Sequence, residues 1–155
     1  MAARGRDTQR RRSQDGAAAV EFALLTPILF LLIFGLLQYG LYFWAAQGGS
    51  NAAREAARRA AVGEYPVCAD FRSYVVDRID ALGNTNAAVI TRTYSNGPAP
   101  NVAANLEPGD VVTVVVTFNA VDMNIPFVPY PENGQVTQSA EARVEHVPDD
   151  TVGNC

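Results

Sequence analysis

Glu21 is the one charged side chain between residues 17 and 46 of this 155-residue chain, and it lies at the edge of that apolar run, just after an Arg-rich head. An ionised group deep in hydrocarbon costs about 2.5–3.5 kcal/mol on insertion scales. Near the edge the cost is smaller, because a long side chain reaches back toward the interface. Other residues with chemical potential are few. The single histidine, His146, stands between Glu145 and Val147 near the end of a strand-like run and reads as a surface residue. Zinc would require further Cys or His at ligand spacing, which the chain lacks. No Gly-rich loop follows a strand to hold phosphate, and no nucleophile stands in a recognisable elbow. Asp149, Asp150 and Asn154 lack the spaced ligand loop of a calcium site and read as a solvated tail. The residues therefore predict a protein that is not an enzyme and that carries no metal or other cofactor.

Two cysteines, Cys68 and Cys155, complete the inventory. Both follow the apolar run, where an oxidising compartment would permit a disulfide. A bridge would tie the end of the sequence back to the start of the domain after the run; the alternative is two unrelated thiols, since sequence alone gives no distance between them.

The element that positions Glu21 is a helix of membrane length. At about 1.5 Å per residue, residues 17–46 extend for ~45 Å, against a hydrocarbon core of about 30 Å. The lipid bilayer is thus the first expected partner. Arg4, Arg6, Arg10, Arg11 and Arg12 precede the run, opposed by Asp7 and Asp15, and an excess of Arg in a short leader is held on the cytoplasmic side. The expectation is a single-pass protein of the cell membrane, N-terminus cytoplasmic and C-terminus extracytoplasmic. The run is about twice the 7–15 residues of a secretory h-region, which argues against a cleaved signal peptide. Beyond residue 46 stand seven Arg against thirteen Asp and Glu, a balance of −6 with His146 neutral. Such a surface repels nucleic acid and anionic membrane, and neither is expected as a partner.

Residues 51–61, NAAREAARRAA, are rich in the best helix former and should prolong the membrane helix into a stem. Ala53, Ala57 and Ala60 share one face, and Glu55 precedes Arg58 and Arg59 at the spacing of helical ion pairs. Gly48 and Gly49 are candidates for a bend, or for close packing. Gly35 and Gly40 offer close approach of another helix, Pro27 removes an internal helix bond, and Tyr39, Tyr42, Phe43 and Trp44 read as an interfacial aromatic belt. After a break at residues 63–66, Phe71, Val75, Ile79 and Leu82 predict an amphipathic helix closed by Gly83. Strand-like runs follow at residues 87–94, 110–121 and 135–145. The middle one is apolar on both faces and so predicted central. The last alternates, with Val136, Ala140, Ala142 and Val144 on one face, Thr137, Ser139, Glu141, Arg143 and Glu145 on the other, and Gln138 out of pattern. Turn-rich loops join them, including Asn96-Gly97-Pro98.

The predicted class is α+β: a long N-terminal transmembrane helix extending into a stem, with a small pilin-like head of one helix and a three- to four-stranded antiparallel sheet. The expected divisions are a basic cytoplasmic leader over residues 1–16, a transmembrane helix over 17–46, a stem helix over 47–62 and an extracytoplasmic α+β domain over 63–155.

Residues 16–58, GAAAVEFALLTPILFLLIFGLLQYGLYFWAAQGGSNAAREAAR, resemble the TadE-like family of pseudopilins from tight-adherence (Tad) pilus systems. The resemblance rests on G-A-x-x-V-E-F-A at Gly16 to Ala23, an early Pro at Pro27, a Leu-rich span and A-A-R-E-A-A-R at Ala52 to Arg58. Residues 139–145 also look like the family's C-terminal strand. The resemblance implies a minor pseudopilin, cleaved by a prepilin peptidase between Gly16 and Ala17 and used in assembly or initiation of a Tad-type pilus. Glu21, with Phe22 beside it, would serve peptidase recognition and assembly. After cleavage Glu21 would lie one turn from the new amine, where a carboxylate complements the helix dipole and can pair with a neighbouring subunit's amine. The implied partners are the prepilin peptidase, other pilins and pseudopilins through the transmembrane helix, and the Tad inner-membrane assembly platform, with the product incorporated into an extracellular pilus and serving adhesion or secretion. The alternative is an uncleaved, permanently anchored extracytoplasmic binding module.

Overall fold

A computed structural model describes residues 6–95, 106–147 and 155, with the backbone alone for residues 6–15. The turn Asn96-Gly97-Pro98 and the acidic tail of Asp149, Asp150 and Asn154 lie outside the described residues. Helix α1 runs from Arg6 to Ala61 and is followed by α2, Cys68–Ile79, and by strands β1, Gly83–Tyr94, β2, Val111–Ala120, and β3, Gln135–Arg143. The class is α+β, with three antiparallel strands in the order β1-β2-β3. The chain divides into two compact units, Met1–Leu37 with Asn124–Pro129, and Gln38–Met123 with Tyr130–Cys155.

In the second unit the sheet descends the helix. At one end the Tyr94 hydroxyl donates to the Ala60 carbonyl oxygen at 3.4 Å, and Tyr94 pairs with Val112 of β2. Eleven residues earlier on α1, a Cβ placed on Gly49 would come within 2.8 Å of the Phe118 ring, at the other end of β2. Beyond β2, the Gln38 side chain donates to Val121 O at 3.2 Å and accepts from Met123 N at 3.0 Å. Residue numbers fall along α1 as they rise along β2, so the two run antiparallel. Alanine makes this approach possible: Ala45, Ala53, Ala56 and Ala57 are buried with Val112, Val114, Val116 and Phe118 in one core. The predicted face of Ala53, Ala57 and Ala60 is the buried one.

Gly48 and Gly49 do not bend the helix, which continues unbroken through them. They admit neighbours instead. A Cβ on Gly48 would meet the Leu82 side chain at 2.5 Å. On the outward face of α1, Glu55 accepts from Arg59 Nε at 2.7 Å and from Arg58 Nε at 3.1 Å. Those two guanidinium hydrogen bonds lower the Glu55 pKa to about 2. The C-terminal end of α1 is closed by the chain leaving β3, since the backbone N–H groups of Glu145 and His146 both donate to Ala61 O, at 2.9 and 3.2 Å. Orphan carbonyls at a helix end need such donors.

Helix α2 buries Phe71, Val75 and Ile79 at the predicted spacing. Gly83 closes this helical segment, as the sequence predicts, though not directly after α2. A 3-10 turn, Asp80–Leu82, intervenes, and Gly83 opens β1 in an extended conformation. A glycine is required there because an added Cβ would lie 2.1 Å from Asn119 O on the paired strand. β1 therefore begins four residues before the predicted 87, with an irregular register between Asn84 and Val89. β2 is central, but its two faces differ: Val112, Val114, Val116 and Phe118 are buried while Val111, Thr113, Val115 and Thr117 are half-exposed. Valine at the exposed positions reflects its fit to a pleated surface, which sequence alone does not distinguish from burial. β3 keeps Val136 buried with Gln138, Ala140 and Ala142 half-buried on the same face.

Candidate functional site

The segment with the sequence-predicted residues is the part of α1 in the first unit. Every described residue from Gly16 to Leu37 is exposed, except Thr26 and Gly35, which are half-exposed. Phe22 is 69 % exposed and Leu36 77 %. A helix apolar on all sides and bare on all sides requires lipid or other helices around it. α1 is the one helix among the described residues long and apolar enough to cross a membrane.

Gly16, Ala17, Glu21 and Phe22 lie together on this helix, all exposed. A Cβ on Gly16 would meet nothing within 4 Å, so packing within the chain does not require glycine there. Because α1 begins at Arg6, the Gly16–Ala17 bond lies inside the helix. Glu21 is likewise interior, several turns from the N-terminal end. The dipole acts within the first turn, so Glu21 would gain that stabilisation only once the helix began at Ala17. Five residues further, Thr26 Oγ1 donates to Phe22 O at 2.6 Å. Pro27, inside the helix, leaves Ala23 O without its usual donor.

The bare stretch ends at Gln38, which is 1 % exposed and spends both ends of its amide on Val121 and Met123. Tyr42 packs edge-on against Tyr130, ring centroids 5.8 Å apart, while Phe43 and Trp44 remain exposed. The predicted run of residues 17–46 thus contains two environments. Its last nine residues belong to the packed unit and its first twenty-one do not. Gln38 is visible in the sequence as an amide in a largely apolar stretch, but its partners at residues 121 and 123 are not.

Cys68 and Cys155 belong to the second unit and are joined by a disulfide, with their Cα atoms 5.7 Å apart. Cys155 is also held by its N–H to Arg92 O at 2.8 Å and by Arg72 Nη2 to its own carbonyl oxygen at 2.9 Å. Arg92 is a buried residue that reading for chemistry passed over. It is fully buried, donates from Nη1 to Tyr65 O at 2.6 Å and from Nη2 to Pro66 O at 3.1 Å, and lies over the Phe71 ring at 4.7 Å. Burial lowers its pKa. Its phase with Ile90 and Tyr94 on an alternating strand marked it as inward-facing. Among the described residues no group of His, Cys, Asp and Glu is placed to hold a metal, and His146 is exposed.

No curated protein and no solved structure matches this chain. Residues 16–58, which take in the bare apolar helix, Glu21 and the alanine-rich face that packs on the sheet, match the family described as TadE-like protein.

Proposed function

We propose that the chain is a minor pseudopilin of a Tad-type pilus, made as a membrane-anchored precursor, cleaved by a prepilin peptidase between Gly16 and Ala17, and used in pilus assembly or initiation. The observation that carries this reading is the TadE-like match falling on a helix whose first part is exposed and apolar on all sides. Residues 17–37 would form the span. At about 1.5 Å per residue they extend for ~32 Å, close to the hydrocarbon thickness of about 30 Å, whereas residues 38–46 belong to the second unit. The disulfide supports an extracytoplasmic location for the second unit, because such bonds persist in oxidising compartments. The Arg-rich leader supports a cytoplasmic N-terminus.

Once freed at Ala17, the helix would present Glu21 one turn from its new amine. The carboxylate would then complement the dipole of its own helix or pair with the amine of a neighbouring subunit, and the apolar flanks would pack against other pilins. The test is N-terminal sequencing of the protein recovered from membranes of cells that carry the peptidase. Sequence should begin at Ala17, and Gly16→Leu should retain the leader. An intact leader on the wild-type protein would instead favour a permanently anchored binding module, and trimming of the Gly16→Leu protein at the same bond would show the cleavage assignment to be wrong.

A further inference from the structure

Between β2 and β3 the chain makes a loop that leaves a large aromatic side chain exposed. Phe127 is 93 % exposed, more than any large hydrophobic side chain of the apolar helix that is expected to meet lipid. It sits at the tip of a turn in which Val128 N donates to Ile125 O at 3.3 Å. Pro126 occupies the second position of that turn and Phe127 the third, with φ at +66°. This is the type II pattern, whose third position favours Gly or Asn. A bulky residue with positive φ is uncommon. Its cost is unexplained by internal packing, since the ring has almost none.

The surroundings point to one kind of partner. Residues 123–131, MNIPFVPYP, contain no charged side chain, while Asp122 and Glu132 flank them. Met123, like Phe127, is a large apolar side chain left exposed. The loop is held at both ends: Gln38 fixes Val121 and Met123, and the Tyr130 hydroxyl donates to Val121 O at 2.9 Å. Most tellingly, Asn124–Pro129 falls in the same compact unit as α1 up to Leu37, the bare apolar stretch read above as the membrane span. An exposed aromatic on a charge-free turn grouped with a membrane helix is suited to the interface, where aromatic rings insert among headgroups and upper acyl chains.

We propose that the loop at residues 124–129 is a second membrane-contacting element, in which Phe127 inserts into the outer edge of the bilayer beside the transmembrane helix. The proposal rests on the membrane reading of residues 17–37. It would fix the precursor to the bilayer at two points, both of which would have to leave the lipid when the subunit enters a filament.

The test uses the full chain reconstituted in phosphatidylcholine vesicles, with and without brominated acyl chains. Trp44→Phe removes the native indole, and Phe127→Trp or Phe30→Trp supplies one reporter. The Phe127→Trp protein should emit at shorter wavelength than free tryptophan, lose emission in brominated vesicles and resist iodide present on both sides of the bilayer. Phe30→Trp reports the span itself. If the Phe30→Trp reporter is quenched by brominated lipid while the one at 127 emits as in water and is quenched by iodide, the loop proposal is overturned and the span stands. Shielding of the reporter at 127 from both quenchers would mean that protein covers the loop, and would also overturn it. If neither reporter is quenched by brominated lipid, the membrane reading fails and the proposal with it.

Discussion

Arg92 illustrates how one side chain can fix a junction that hydrophobic packing cannot. The segment between α1 and α2 exposes backbone carbonyls at Tyr65 and Pro66 to the interior, and an apolar residue on β1 would leave both without donors. The guanidinium supplies two, while its flat face covers the Phe71 ring. Hydrogen bonds from a charged group contribute about 1.5–3 kcal/mol each. Arg92→Ala should therefore destabilise the packed unit by about 2–4 kcal/mol, and Arg92→Lys should recover only part of that, because an ammonium cannot reproduce the planar fork. Urea unfolding of the detergent-solubilised protein measures it. A loss below that of an ordinary surface substitution would show that water satisfies the two carbonyls.

At the scale of elements, α1 serves two environments with one backbone. Its first part is apolar on every side, as lipid demands, and from Ala45 onward it presents a narrow, small-residue face to the core that β2 shares. Gly48 and Gly49 set the distance of that approach, being the positions where any side chain would collide with Leu82 or Phe118. Gly49→Val should cost about 1–3 kcal/mol, the usual penalty for overpacking. Gly40→Ala, with nothing within 4 Å of the added Cβ, should instead stabilise by up to about 1 kcal/mol through helix propensity. Opposite signs in the same denaturation assay would establish the difference; equal effects would mean that α1 and the sheet do not meet as described.

For the whole molecule, the disulfide joins residues separated by 87 positions, a loop that takes in α2 and all three strands. Cross-linking over that length removes unfolded-state entropy worth about 4–5 kcal/mol. Reduction, or the Cys68→Ser and Cys155→Ser double variant, should lower the stability of the packed unit by about that amount and leave membrane association through residues 17–37 unchanged. An unaltered unfolding midpoint would mean that the contacts of Cys155 with Arg92 and Arg72 suffice alone. Membrane extraction with and without reductant checks the second half of the prediction.

The sequence by itself determined the elements with strong local periodicity or strong composition. The apolar helix, its alanine-rich continuation, the buried face of α2 and the alternation of β3 all follow from spacing, because each is a property of neighbours in the chain. The resemblance over residues 16–58 was legible for the same reason. Tertiary structure alone decided where the bare helix stops, because nothing local to Gln38 says that its amide meets residues 121 and 123. It also decided that Gly83 opens a strand as well as closing the helical segment, since the reason is the carbonyl of Asn119 on another strand. Phe127 was hidden most completely. In sequence it is one more apolar residue in a turn-rich segment, and only the folded chain, by leaving it uncovered and grouping its loop with the bare helix, makes it a candidate for contact with lipid.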